Sequence, residues 1–278
     1  MTTTVFWIYA SASALSLLGL IHVVDELPQE HGVDKIMPFG RLFFAISLAV
    51  FGSEHFTETA SIATLVPRWI PAHVFWVYLV GIAFLCAAIG LANLVQARLA
   101  AALVGMTMFL FVLVMDLPAV AANPGNRFFW ALALRQLAFS GGAFAFALAL
   151  RSTRSGFPRF FVGVPAVFYG IMQLLHPAYV PGIPLQRLTP EWIPGRMILS
   201  VCVGVISILA GVCLLANTKT RSAATSLGLA ILLTMFWVYL PMLLAAPRDV
   251  GALNFFFDTL LFCGAVLLLA NAMEKNSD

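Results

Sequence analysis

Apolar residues along this chain come in long unbroken runs, not in alternation and not as one-sided stripes. Nine runs stand out, at roughly 4–24, 39–57, 71–95, 99–120, 127–150, 157–176, 193–216, 222–246 and 250–272. Each is close to the roughly 20 residues that cross a hydrocarbon core about 30 Å thick. Strands of a membrane barrel would be about ten residues of alternating polarity, and these runs do not alternate. The pattern predicts an all-α, polytopic membrane protein of about nine spans. No Lys or Arg precedes the run from Val5 to Val24, so it reads as a retained helix and not as a secretory signal with a basic leader.

Laying the sequence on itself shows an internal repeat. At a shift of about 123 residues, Leu65-Val66-Pro67-Arg68-Trp69-Ile70-Pro71 falls on Leu188-Thr189-Pro190-Glu191-Trp192-Ile193-Pro194. In the same register Gly81 meets Gly204, Arg98 meets Arg221 and Gly105 meets Gly228. Leu117-Pro118 meets Leu240-Pro241, Pro124 meets Pro247, and Gly141 meets Gly264. The helix before this block matches at about 118, through Arg41 with Arg159 and Gly52 with Gly170. Apolar bias aligns Leu and Ala, but not Trp, Pro, Gly and Arg together. The expected organisation is an N-terminal helix and loop (1–38), a four-helix unit (39–150) and a second, degenerate one (157–272). Four spans is an even number, so both units enter from the same side and form a parallel repeat. In the shared motif, Pro71 and Pro194 suit a first helical turn, and Trp69 and Trp192 suit the membrane interface.

Composition sharpens this picture. The chain is 62% hydrophobic and 10% charged, against roughly 25% charged in soluble domains. Its net charge is +3 and its basic residues are scattered, so nucleic acid is not an expected partner and the bilayer is. Cys86, Cys202, Cys213 and Cys263 lie in apolar runs without a CxxC pair and read as packing residues. Lys35, Arg41, Arg98, Arg151, Arg154, Arg159, Lys219, Arg221 and Lys275 fall on one side. Arg68, Arg127, Arg187, Arg196 and Arg248 fall on the other. The positive-inside rule makes the first side cytoplasmic, with the C-terminus inside and, for a bacterial protein, the inner membrane as location.

Ionisable residues within spans are costly and read as functional by default. Glu54, His55, His73, Asp116 and Arg135 all map to the outer half of the first unit, and together they are the candidate polar pocket. Arg135 lies about 12 Å along its helix at 1.5 Å per residue. The second unit has Met172, Gln173, Arg196, Tyr239 and Asp258 at these positions. Arg135 and Asp258 are thus equivalent positions of opposite sign. The expectation is an ion pair between the units, with Asp116 competing for Arg135, or else local bonds within each bundle. Arg68, Trp69, His73, Arg196 and Asp258 are the candidate substrate contacts. Glu54 and His55 suit proton handling, although adjacent helical residues point about 100° apart. No HxxxH or ExxH spacing supports a metal. The segment His22 to His31 is rich in ligand types and reads as a solvated loop.

Gly52-Ser53-Glu54-His55-Phe56, then Val66-Pro67-Arg68-Trp69-Ile70-Pro71, Gly81 and Arg98, resemble the DoxX-like family of four-helix membrane proteins. The resemblance covers Phe39 to Leu150 and, more weakly, Phe157 to Ala272. It implies a membrane redox-associated subunit near a quinone, with a membrane-bound oxidoreductase as partner. The chain departs from the family in lacking an acidic residue between Gly81 and Cys86, and in carrying two units where relatives have one. Two other functions compete: a transporter or small-molecule binder between the units, for which the spans show few Gly/Pro breaks, and a non-catalytic assembly partner.

Overall fold

The computed structural model describes residues 3–29, 31–151, 156–181 and 187–273. Glu30, Arg154 and Lys275 of the sequence argument lie outside them. Among the described residues, nine helices are long and apolar enough to cross a membrane: α1 (Thr3–Gln29), α2 (Gly32–Thr57), α3 (His73–Ala92), α4 (Ala97–Ala122), α5 (Arg127–Ala149), α6 (Phe157–Leu175), α7 (Arg196–Leu215), α8 (Thr220–Ala245) and α9 (Val250–Ala272). The protein is an all-α polytopic membrane protein.

Features of the first half, α2–α5, recur in the second, α6–α9. Gly52 and Gly81 back onto each other's carbonyls across α2 and α3, as do Gly170 and Gly204 across α6 and α7. Gly105 makes room for Phe144, and Gly228 for Leu267. The backbone turns left-handed at Ala72, Leu94 and Gln96, and again at Gly195, Asn217 and Lys219. Asn126 caps α5 through the Phe128 amide, and Asp249 caps α9 through the Gly251 amide, each at 3.0 Å. Each of these pairs keeps the register read from the sequence. One detail differs from expectation. Pro71 and Pro194 stand outside the helices, which start at His73 and Arg196 after a left-handed residue. Pro71 accepts a hydrogen bond from the Trp76 indole on its own helix, and Pro194 one from Trp237 on α8.

The halves do not close as separate bundles. Within each, neighbours in sequence pack side by side, but the first helix lies against the fourth helix of the other half: α2 on α9, and α6 on α5. The fourth helices also pack on each other. Two five-helix rings result, α2-α3-α4-α5-α9 and α6-α7-α8-α9-α5, with α5 and α9 common to both. Small residues permit these crossings. A Cβ on Gly142 of α5 would overlap the Ala265 backbone of α9. A Cβ on Gly264 would meet the Phe44 amide nitrogen at 2.7 Å, and one on Gly141 would meet Phe161 Cβ at 2.7 Å. These two contacts lie at corresponding crossings, α9 on α2 and α5 on α6.

Helix α1 is fastened at both ends. At one end Thr4 donates to Glu58 (2.7 Å), and the Tyr9 hydroxyl donates to the Pro247 carbonyl (2.9 Å). At the other, Glu26 pairs with Arg41 at 2.6 Å, and Arg41 also donates to the Leu91 and Ala92 carbonyls at the end of α3. Glu26 is therefore a structural partner of a buried arginine and no part of a solvated loop. Just beyond, Asp34 pairs with Arg221 at 2.9 Å, and Arg221 donates to the Met273 carbonyl after α9. A cation over the last carbonyls of a helix satisfies groups that the helix itself leaves open.

The shared crossing gives the first prediction. Gly142→Val is expected to lower stability by at least about 1–3 kcal/mol, the usual cost of overpacking a tight contact. Gly125→Ala, at a turn with nothing within 4 Å of the new methyl, is expected to be neutral. Thermal unfolding in detergent measures both, and equal melting temperatures would contradict the packing described.

Candidate functional site

Because Asn126 and Asp249 start α5 and α9 in the same way, Arg135 and Asp258 reach the same depth on two helices that touch. Their side chains meet at 2.7 Å, Arg135 Nη1 donating to Asp258 Oδ2. The ion pair expected from the exchanged signs is present, and it joins the two halves. Asp116 of α4 lies within electrostatic reach of Arg135, as expected of a second carboxylate near one guanidinium.

Asp116 ends a π-turn within its helix. Val112–Asp116 is π-helical, and so is Met235–Tyr239 in α8. Each precedes a Leu-Pro pair. Proline lacks an N–H and crowds the carbonyl four residues back. Here the turn widens, with the Leu117 amide bonding Val112 O and the Leu240 amide bonding Met235 O, five residues apart. Such π-turns are frequent at functional sites. The last residue of each, Asp116 and Tyr239, is buried. Both spans stay continuous helices through Pro118 and Pro241, with the π-turn in place of a break.

Several buried polar atoms of these helices have no hydrogen-bond partner among the described residues: Asp116 Oδ2, Arg135 Nε, Gln136 Oε1, Glu54 Oε1 and Asn254 Oδ1. Asp116 is 8% exposed and Glu54 6%. Asn254 of α9 stands beside the Glu54 carboxylate, one helical turn before Asp258. Tyr169 of α6 donates to the Ala131 carbonyl of α5 at 2.6 Å, one turn before Arg135. Most buried polar groups in folded proteins find partners, so a run of unsatisfied ones calls for an explanation such as a bound water, ion or solute.

The remaining sequence candidates do not join the pair. His55 turns toward α3. Its Nδ1 lies 2.7 Å from the Phe51 carbonyl, and its ring meets Phe84 edge-on at 5.5 Å. Glu54 and His55 thus face different helices and do not act as a pair. Arg68 and Trp69 are exposed, Trp69 by 72%. His73 is half-buried at the start of α3. Arg196 folds back on the Thr189 carbonyl and Glu191. The five residues assigned to one pocket in the first unit are therefore dispersed, because a helix shows its neighbours different faces. Only Asp116 and Arg135 converge, and the second half completes their site with Asp258. Asn254, Gln136 and Tyr169 were missed. The spacing of Asn254 and Asp258, four apart on one helical face, was the available signal for Asn254.

A cavity of about 20 Å³ lies in the second half, lined by Tyr169, Gln173, Ser207, Thr234, Thr259 and the backbone at Pro181, among others. The corresponding first-half positions of Tyr169, Ser207 and Thr234 are Phe51, Phe84 and Phe111, whose rings fill that interior. Among the described residues no group of three His, Cys, Asp or Glu could hold a metal.

Residues 44–139 are similar to a family described as a domain of unknown function, DUF8561. That stretch runs from within α2 to within α5 and includes Glu54, His55, Asp116 and Arg135. No curated protein and no solved structure matches the chain.

The ion pair yields the second prediction. Arg135→Leu or Asp258→Leu alone strands a buried charge and is expected to cost about 3–5 kcal/mol. Exchanging the two, Arg135→Asp with Asp258→Arg, should recover most of that loss. Unfolding midpoints of the singles and the exchange decide it, and an exchange no better than the sum of the singles would contradict a direct pair.

Proposed function

We propose that this protein binds, and moves across the membrane, a small polar solute at a site between its two halves. The observation that carries the reading is the Arg135–Asp258 pair at 2.7 Å, with Asp116, whose Oδ2 has no hydrogen-bond partner among the described residues, within electrostatic reach of Arg135. Two carboxyl groups, Asp258 and Asp116, act on one guanidinium, which favours a cationic solute or protons over an anion. The π-turns of α4 and α8 add to this case. Such π-turns recur at functional sites in helices.

The proposal includes the duplicated, parallel arrangement of two DoxX-like units. It also places the Arg41 and Arg221 end in the cytoplasm of a bacterial inner membrane, on the positive-inside count. The outer end then holds Thr4, Glu54 and Glu58.

The redox-associated reading rests on the DoxX-like motifs.

The third prediction follows. Purified protein in liposomes is expected to carry small monovalent cations or protons faster than empty liposomes. Asp116→Asn should slow this by at least about tenfold, equivalent to about 1.4 kcal/mol, with the fold retained. A folded protein giving no flux with any small cation would overturn the reading. Quinone found by mass spectrometry in the purified protein, and lost in Glu54→Gln, would favour the oxidoreductase-associated function instead.

A further inference from the structure

Helix α1 packs on the first half alone, and one arginine of the second half shows the consequence. In the first half α1 lies along α2, with Gly19 against Leu42 and Ala92. It brings Glu26 to Arg41 at 2.6 Å. In the register of the sequence comparison Arg41 corresponds to Arg159, and Leu42 to Phe160. Among the described residues Arg159 has no ion pair, and its Nε is buried without a hydrogen-bond partner. Its guanidinium rests on the Phe160 ring, 4.7 Å from the centroid.

The face that α1 covers on α2 is open on α6. Leu42 is 4% exposed and Phe160 43%. Ile46 and Ser53 are buried, and their counterparts Val164 and Ile171 are exposed. Helix α6 packs on α5, α7 and α9, and no described helix lies along it as α1 lies along α2. Phe160, Val164 and Ile171 are four and seven residues apart, so they form one apolar stripe on the helix.

Arg159 is the third residue of α6. At the end of a span a long basic side chain reaches the headgroup level while its stem stays on apolar surface. The occupant that suits this place joins an anion to hydrocarbon. A second helix would need its own carboxylate at the level of Glu26, whereas a lipid phosphate stands at that depth in any bilayer. The local charge selects a lipid with net negative charge. Arg98, the counterpart of Arg221, is exposed at the start of α4, and α4 meets α6 where Phe109 stacks on Phe161 at 5.5 Å. The acids that serve the equivalent arginines, Glu26 and Asp34, are engaged by Arg41 and Arg221. Basic side chains beside spans attract anionic lipids.

We propose that the open face of α6 binds one anionic phospholipid. Its phosphate pairs with Arg159, and an acyl chain lies along Phe160, Val164 and Ile171, in the place that α1 takes on α2. The site faces the bilayer and is independent of the solute site between the halves.

The test uses the full-length protein in mild detergent, titrated with phosphatidylglycerol or phosphatidylcholine of equal chain length and read by native mass spectrometry. One phosphatidylglycerol is expected to bind at least about fivefold more tightly than phosphatidylcholine, the effect of about one charge contact at a membrane surface. Arg159→Gln should remove the preference, and Arg159→Lys should keep part of it. Arg68→Gln, at an exposed arginine of the opposite end, should leave it unchanged. Should Arg159→Gln not fold, Val164→Trp obstructs the chain's place without touching the arginine and should weaken phosphatidylglycerol at least about fivefold. No preference in the unaltered protein, or a preference intact in the folded variants, would overturn the assignment. So would a co-purifying membrane protein that cross-links to α6 and supplies the acid itself.

Discussion

Within lipid, an apolar helix gains little by exchanging acyl chains for another apolar helix. Association there depends on close backbone approach and internal polar bonds. The crossing of α5 and α9 supplies both. Gly142 lets the α9 backbone at Ala265 come into direct contact, and about two turns away Arg135 and Asp258 close an ion pair at 2.7 Å. Everything else is arranged around this contact. Both five-helix rings include α5 and α9, so neither ring exists without the crossing. The buried face of α2 lies on α9, and that of α6 on α5. A change that separates the two central helices would therefore open both rings at once.

The halves share a backbone plan and differ in what they enclose. Glycines, left-handed turns, helix caps and π-turns occur in equivalent places. The interiors diverge through side-chain volume. Phe84 and Phe111 fill one ring, and their counterparts Ser207 and Thr234 leave a cavity in the other. His55 fits edge-on against Phe84, whereas its counterpart Gln173 bonds the Tyr179 carbonyl. The buried polar residues are divided the other way, with Glu54 and Asp116 in the first half opposite Met172 and Tyr239. The first half thus supplies most of the buried charge and the second supplies the space.

The spans and the register could be read from sequence because both are one-dimensional signals. Twenty apolar residues look the same whatever they pack against, and Gly, Pro and Trp keep their spacing when packing changes. The Arg135–Asp258 pair was accessible by the same route, since equivalent positions on two crossing helices near a pseudo-twofold axis meet. What the sequence did not reveal needs side-chain direction. Glu54 and His55 are neighbours in the chain, yet one faces Asn254 and the other Phe84. The placing of Asp116 depends on a π-turn that a Leu-Pro pair only hints at. The exchange of α2 and α6 between fourth helices is a packing choice, and hydropathy is blind to it. Trp69, Arg68 and Arg196 looked like site residues because they lie near the candidate pocket in sequence, but their helix ends point them to the surface or back into their own loop.

The exchanged signs also bear on the duplicated arrangement proposed above. Two identical subunits about a twofold axis would place the same residue at both central positions. Arginine would face arginine, or aspartate would face aspartate, and like charges inside a membrane cannot neutralise each other. Only when the halves are encoded separately can one position become Arg135 and its equivalent Asp258. The same freedom lets one π-turn end in a carboxylate, Asp116, and the other in a phenol, Tyr239. The proposed parallel duplication is an arrangement in which a single neutralised pair can sit between the halves. Asp116 is then left beside it as a second carboxyl group without a counterpart in the other half.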